Sequence, residues 1–85
     1  MAEIQANAVK GVLVETLGLD GESDGMHPGT PLFGSLPELD SMAVLEVLLA
    51  LEEQFGITIE GDDVTGDAFE TLGSLTDFVN EQATR

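Results

Sequence analysis

At 85 residues and 8.9 kDa the chain has material for one compact domain over residues 1–85. A domain of that size hides only roughly 60–65% of its unfolded surface, which argues against a large enclosed catalytic cleft. Apolar residues make up 42% of the sequence and Cys is absent, so a packed core has to hold the fold without disulfides or a thiolate-bound metal, and a reducing, cytoplasmic setting is expected. Lys10 and Arg85 stand alone against 17 Asp and Glu, a formal charge of -15 that repels phosphate backbones and anionic lipid and favours basic protein surfaces as partners.

The opening MAEIQANAVK lacks the basic-then-apolar layout of a secretory signal, and no apolar run approaches the ~18 residues of a membrane span. A soluble, unprocessed monomer that neither inserts into membrane nor binds nucleic acid is expected. Val9, Val12, Leu13, Thr16 and Leu17 recur at steps of three and four, which predicts a first helix from about Glu3 to Leu17, with Gly18 as a left-handed cap. Five of the ten Gly and all three Pro then fall between Gly18 and Asp40, marking one long connection. Its second half carries Leu32, Phe33, Leu36 and Leu39, which are expected to lie across the helix ends, whereas Asp20 to Gly29 has nothing to bury.

Ser41 to Phe55 runs without Gly or Pro and is rich in Leu, Ala, Glu and Met. It predicts a second helix about 22 Å long, closed by Gly56. Asp62 and Asp63 could start a short third element with Val64, Ala68 and Phe69 facing inward. Leu72, Leu75, Phe78 and Val79 share one face of a last helix that Thr71 or Ser74 can cap, with a tail fraying from Gln82. The fold class is therefore all-α: a small four-helix bundle of three main helices and one short one, with a long loop between helices one and two.

The second helix has too many apolar residues for one stripe. Val44, Leu48, Leu51 and Phe55, with Leu45 and Val47, form the expected core face, while Met42, Glu46, Leu49 and Glu53 form a second stripe of alternating apolar and acidic residues. Such a stripe suits a partner that mixes Arg or Lys with an apolar pocket, though an ordinary solvated face would read the same way. At the helix start, Asp40 or Ser41 can accept a hydrogen bond from a first-turn N–H. Ser41 also stands where the positive end of the helix macrodipole would favour a phosphodiester on its hydroxyl by ~0.3–1 kcal/mol.

Asp40-Ser41-Met42, Leu45-Glu46, Ala50-Leu51-Glu52-Glu53-Gln54-Phe55-Gly56-Ile57 and Thr71-Leu72 together resemble the acyl carrier protein family from about Val9 to Val79, most specifically from Asp40 to Ile59. The resemblance implies a non-catalytic carrier whose Ser41 bears 4′-phosphopantetheine, added from coenzyme A by a magnesium-using phosphopantetheinyl transferase. Acyl groups would ride on the arm as thioesters. It further implies partner docking through Asp40, Met42, Glu46, Leu49, Glu52 and Glu53. The clients would be an acyl ligase or acyltransferase, a ketosynthase and related basic-surfaced enzymes of fatty-acid, lipid or polyketide-type biosynthesis. An acidic position common early in this helix is Ala43 here, the Gly usual two residues before the Ser is Leu39, and Gly61 to Glu70 is longer than in housekeeping fatty-acid carriers. These departures suggest a specialised, free-standing carrier.

Peptidyl carriers usually place Gly-Gly ahead of the Ser pair and are less acidic; D-alanyl carriers, or a non-carrier acidic interaction module, are the remaining alternatives. Asp20-Gly-Glu22-Ser-Asp24-Gly25 mimics half of an EF-hand loop, but Pro28 and Pro31 occupy its ninth and twelfth positions, so no metal site is expected. A hydrolase built on Ser41 and His27 lacks a Gly-x-Ser-x-Gly elbow, and His27 reads as a solvated loop residue. Ser35 to Glu38 reads as a local capping box, and Asp67 and Glu70 as solvated helix ends.

Overall fold

The computed structural model describes residues 3–18, 26–32, 41–60 and 64–84, with the main chain alone for Ser41. Three α-helices follow in order, α1 (Ala6–Leu17), α2 (Ser41–Phe55) and α3 (Leu72–Ala83), with a short 3₁₀ helix, Gly66–Phe69, before the last. Helix α1 packs against both α2 and α3, and the 3₁₀ helix packs on α3. The all-α expectation holds; among the described residues the only strand-like pairing is an isolated antiparallel bridge, Pro31 with Thr71.

Val9 and Leu13 of α1 are fully buried, as their spacing predicts, and Gly18 ends the helix at φ 69° with its N–H donating to the Val14 carbonyl at 2.9 Å. The helix begins at Ala6, three residues later than expected. The cause is a long-range tie: the Ile4 N–H donates to Asn80 Oδ1 at 2.8 Å, and Asn80 Nδ2 donates to the Ile4 carbonyl at 2.9 Å. With both main-chain groups of Ile4 satisfied by α3, the segment before Ala6 stays extended.

Gly56 closes α2 at φ 64°, a left-handed conformation that strains residues with a Cβ. In the next segment Ile57 and Ile59, followed by Val64, lean half-buried against the core. Ala68 and Phe69 of the 3₁₀ helix are buried, as expected; Asp62 and Asp63 lie outside the described residues. Thr71 and Ser74 form a reciprocal capping box at the start of α3: the Ser74 N–H donates to Thr71 Oγ1 at 3.0 Å and the Thr71 N–H to Ser74 Oγ at 2.9 Å. Leu72, Leu75, Phe78 and Val79 are buried on one face. Gln82 does not fray. It continues that face after Leu75 and Val79, is buried, and the helix runs on to Ala83.

The connection after α1 also differs from its sequence reading. Met26 packs against the core, although Asp20 to Gly29 offers no obvious apolar patch. The Leu72 N–H donates to the Thr30 carbonyl at 3.1 Å and the Gly73 N–H to the Pro28 carbonyl at 2.7 Å, while the Leu32 N–H donates to the Glu70 carbonyl at 3.0 Å. The first-turn donors of a helix have no partner inside it; in α3 those of Leu72 and Gly73 are met by this distant loop. Leu32 is fully buried, as expected. Phe33, Leu36 and Leu39, and the Ser35–Glu38 turn, lie outside the described residues.

Candidate functional site

Helix α2 places the candidate residues. Its inward arc is Ala43, Val47 and Leu51, all buried at steps of four, bordered by half-buried Val44, Leu48, Ala50 and Phe55. The arc is rotated from the expected one. Leu45 lies two residues from Val47, roughly 200° around the helix, and is 57% exposed instead of in the core. Ala43 is 9% exposed, so the position where an acid was expected is a core contact with no room for a solvated charge.

Met42, Leu45 and Leu49 therefore form a continuous outward apolar stripe, and they are the large hydrophobic side chains that the described residues leave exposed. Glu46 and Glu53 are exposed beside it. The stripe found from spacing thus comes together, and gains Leu45. The signal that could have revealed Leu45 was Ala43: counting that small apolar residue into the inward arc fixes the register at 43, 47 and 51 and turns Leu45 outward.

Glu52 occupies a different environment. It is partly buried, its Oε2 accepts the Ile59 N–H at 2.8 Å, and its carbonyl accepts the Ile57 N–H at 3.2 Å. The residue clamps the segment after α2 onto the helix end. Asp40 lies outside the described residues.

Ser41 is the first residue of α2, and neighbouring Met42 is 69% exposed. The positive end of the helix dipole suits a phosphodiester at this point, and the exposed surface at Met42 beside it leaves room for an extended arm. The residues present fit a phosphopantetheine group. Nothing comparable surrounds His27, which is tied into a turn with Gly29 and Thr30. Asp67 and Glu70 are exposed, as expected, and among the described residues no group of three or more His, Cys, Asp or Glu is placed to hold a metal ion. No described helix is long and apolar enough to cross a membrane.

Comparison with known proteins agrees with this arrangement. The phosphopantetheine attachment site family matches residues 7–79. The solution structure of the holo acyl carrier protein NE2163 from Nitrosomonas europaea is 39% identical to this chain, covers 94% of it and 96% of its own length, and superposes with a TM-score of 0.86. A short all-α chain with a serine opening its second helix, an outward apolar stripe with acids beside it and this match over nearly its whole length belongs to the acyl carrier protein family, the carriers built around a phosphopantetheine attachment site.

Proposed function

We propose that Ser41 is the residue that carries 4′-phosphopantetheine, and that the chain, working as a single cytoplasmic domain, presents acyl thioesters on that arm to enzymes of fatty-acid, lipid or polyketide-type biosynthesis. The observation that carries this reading is the position of Ser41 at the start of α2, immediately before the exposed Met42–Leu45–Leu49 stripe. An arm fixed there leaves the protein beside the surface a partner would grip. Ser41 is an acceptor: its hydroxyl attacks the pyrophosphate of coenzyme A, the phosphopantetheine is transferred, and 3′,5′-adenosine diphosphate leaves. The base and the magnesium belong to the phosphopantetheinyl transferase.

Docking follows from the same face. Met42, Leu45 and Leu49 supply apolar contact, and Glu46 and Glu53, with Asp40, supply charge that steers a basic client such as an acyltransferase or ketosynthase. Steering acts mainly on the association rate and weakens with salt, since the Debye length is about 8 Å at physiological ionic strength. Incubation with coenzyme A, magnesium and a transferase of broad specificity, followed by intact-mass spectrometry, tests the assignment. One phosphopantetheine is expected on the native chain and none on Ser41→Ala; an adduct on Ser41→Ala, or none on the native chain, overturns it. Glu46→Lys combined with Glu53→Lys is expected to slow client turnover at low salt, and unchanged turnover would remove the docking role.

A further inference from the structure

His27 is the one histidine of the chain, and although exposed it organises the loop around it. Its N–H donates to Thr30 Oγ1 at 2.8 Å, its carbonyl accepts the Thr30 N–H at 2.9 Å, and its Nδ1 accepts the Gly29 N–H at 3.1 Å. An imidazole nitrogen accepts only when it bears no proton, so this geometry belongs to the neutral side chain with its proton on Nε2. The turn so formed presents the Pro28 and Thr30 carbonyls to the Gly73 and Leu72 N–H groups. Imidazole, turn and the start of α3 are thus linked in series.

We propose that His27 is a proton-operated latch that holds the α1–α2 loop on the N-terminal turn of α3. Neutral, it closes the 27–30 turn in the shape that caps α3. Protonated, Nδ1 becomes a donor facing the Gly29 N–H; two donors cannot bond, the turn keeps only its two bonds to Thr30, and the carbonyls that Leu72 and Gly73 rely on are held less firmly. The described segment that loosens, residues 26–32, precedes Ser41 in the chain, but the latch does not depend on what Ser41 carries. On the elements paired with the turn, the titratable side chains are Asp67 and Glu70 before α3 and Asp77 and Glu81 within it, all four exposed, and the first turn of α3 has no acidic residue. Glu22 and Asp24 precede the turn and lie outside the described residues. Carboxylates ordinarily titrate near pH 4, well below the range of about pH 6–7 in which an imidazole ordinarily changes charge.

The test is amide hydrogen exchange at Leu72 and Gly73, corrected for intrinsic rates, at about pH 8 and pH 5.5 in three forms of the full chain. In the native chain opening is expected to become about three- to tenfold more frequent at the lower pH, the worth of one modest hydrogen bond. His27→Asn keeps an acceptor for the residue two positions on without titrating, and should stay slow at both values. His27→Ala should be fast at both. A native chain that does not respond, a His27→Asn chain that responds as the native one does, or a His27→Ala chain as slow at pH 8 as the native one each overturns the latch.

Discussion

The carboxylate of Glu52 and the main-chain N–H of Ile59 are joined at 2.8 Å, so an acid that by sequence belongs to the partner-facing set also fastens the segment after α2 to its own helix. Glu52→Ala should remove this clamp and destabilise the chain by about 1–2 kcal/mol, with Glu52→Gln, which retains an acceptor, closer to the native value. For a domain of this size that is a drop of roughly 4–8 °C per kcal/mol. Thermal melts followed by circular dichroism read this directly. Glu46→Ala and Glu53→Ala should stay within about 0.5 kcal/mol of the native chain, and if Glu52→Ala does the same, the clamp carries no stability.

Two glycines should respond to alanine with opposite signs. A Cβ on Gly73 would meet the Pro28 carbonyl oxygen at 2.9 Å, the group its own N–H bonds, so Gly73→Ala should push the loop off α3. Gly11 lies inside α1 and a Cβ there meets nothing within 4 Å. Gly11→Ala should therefore stabilise by about 0.5–1 kcal/mol through helix propensity alone. Denaturant midpoints would separate the pair; a Gly73→Ala chain as stable as Gly11→Ala would mean that the loop yields without loss.

Leu45 and Leu51 are both leucines of α2, one exposed and one fully buried. Leu51→Ala should cost about 2–5 kcal/mol, from lost burial and the cavity left behind. Leu45→Ser should leave stability within about 0.5 kcal/mol, yet slow turnover with client enzymes. Melts and turnover on both variants would reveal a misassigned face as a large loss of stability in Leu45→Ser.

Gln82 is 4% exposed, and neither its Nε2 nor its Oε1 has a hydrogen-bond partner among the described residues. An amide buried without partners costs about 1–3 kcal/mol. Gln82→Met, close in length and apolar, should raise the melting temperature by several degrees. A lower melting temperature would show that the amide is satisfied in solution.

The sequence by itself determined what depends on near neighbours. Steps of three and four placed α1 and the buried face of α3, a run free of Gly and Pro placed α2, Gly18 and Gly56 announced their own left-handed caps, and Thr71 or Ser74 signalled the cap of α3, because each involves residues within a few turns. The position of Ser41 at a helix start was legible for the same reason, and so were most members of the outward stripe. The tertiary structure decided the rest. Which of two apolar arcs on α2 turns inward depends on how the helix packs on the rest of the core, and that packing buries Ala43 and leaves Leu45 outside. The late start of α1 hangs on Asn80, the closure of α3 on Pro28 and Thr30, and the second role of Glu52 on Ile59. Those partners are seven to 76 positions away, and periodicity carries no information about hydrogen bonds that form only when distant segments meet.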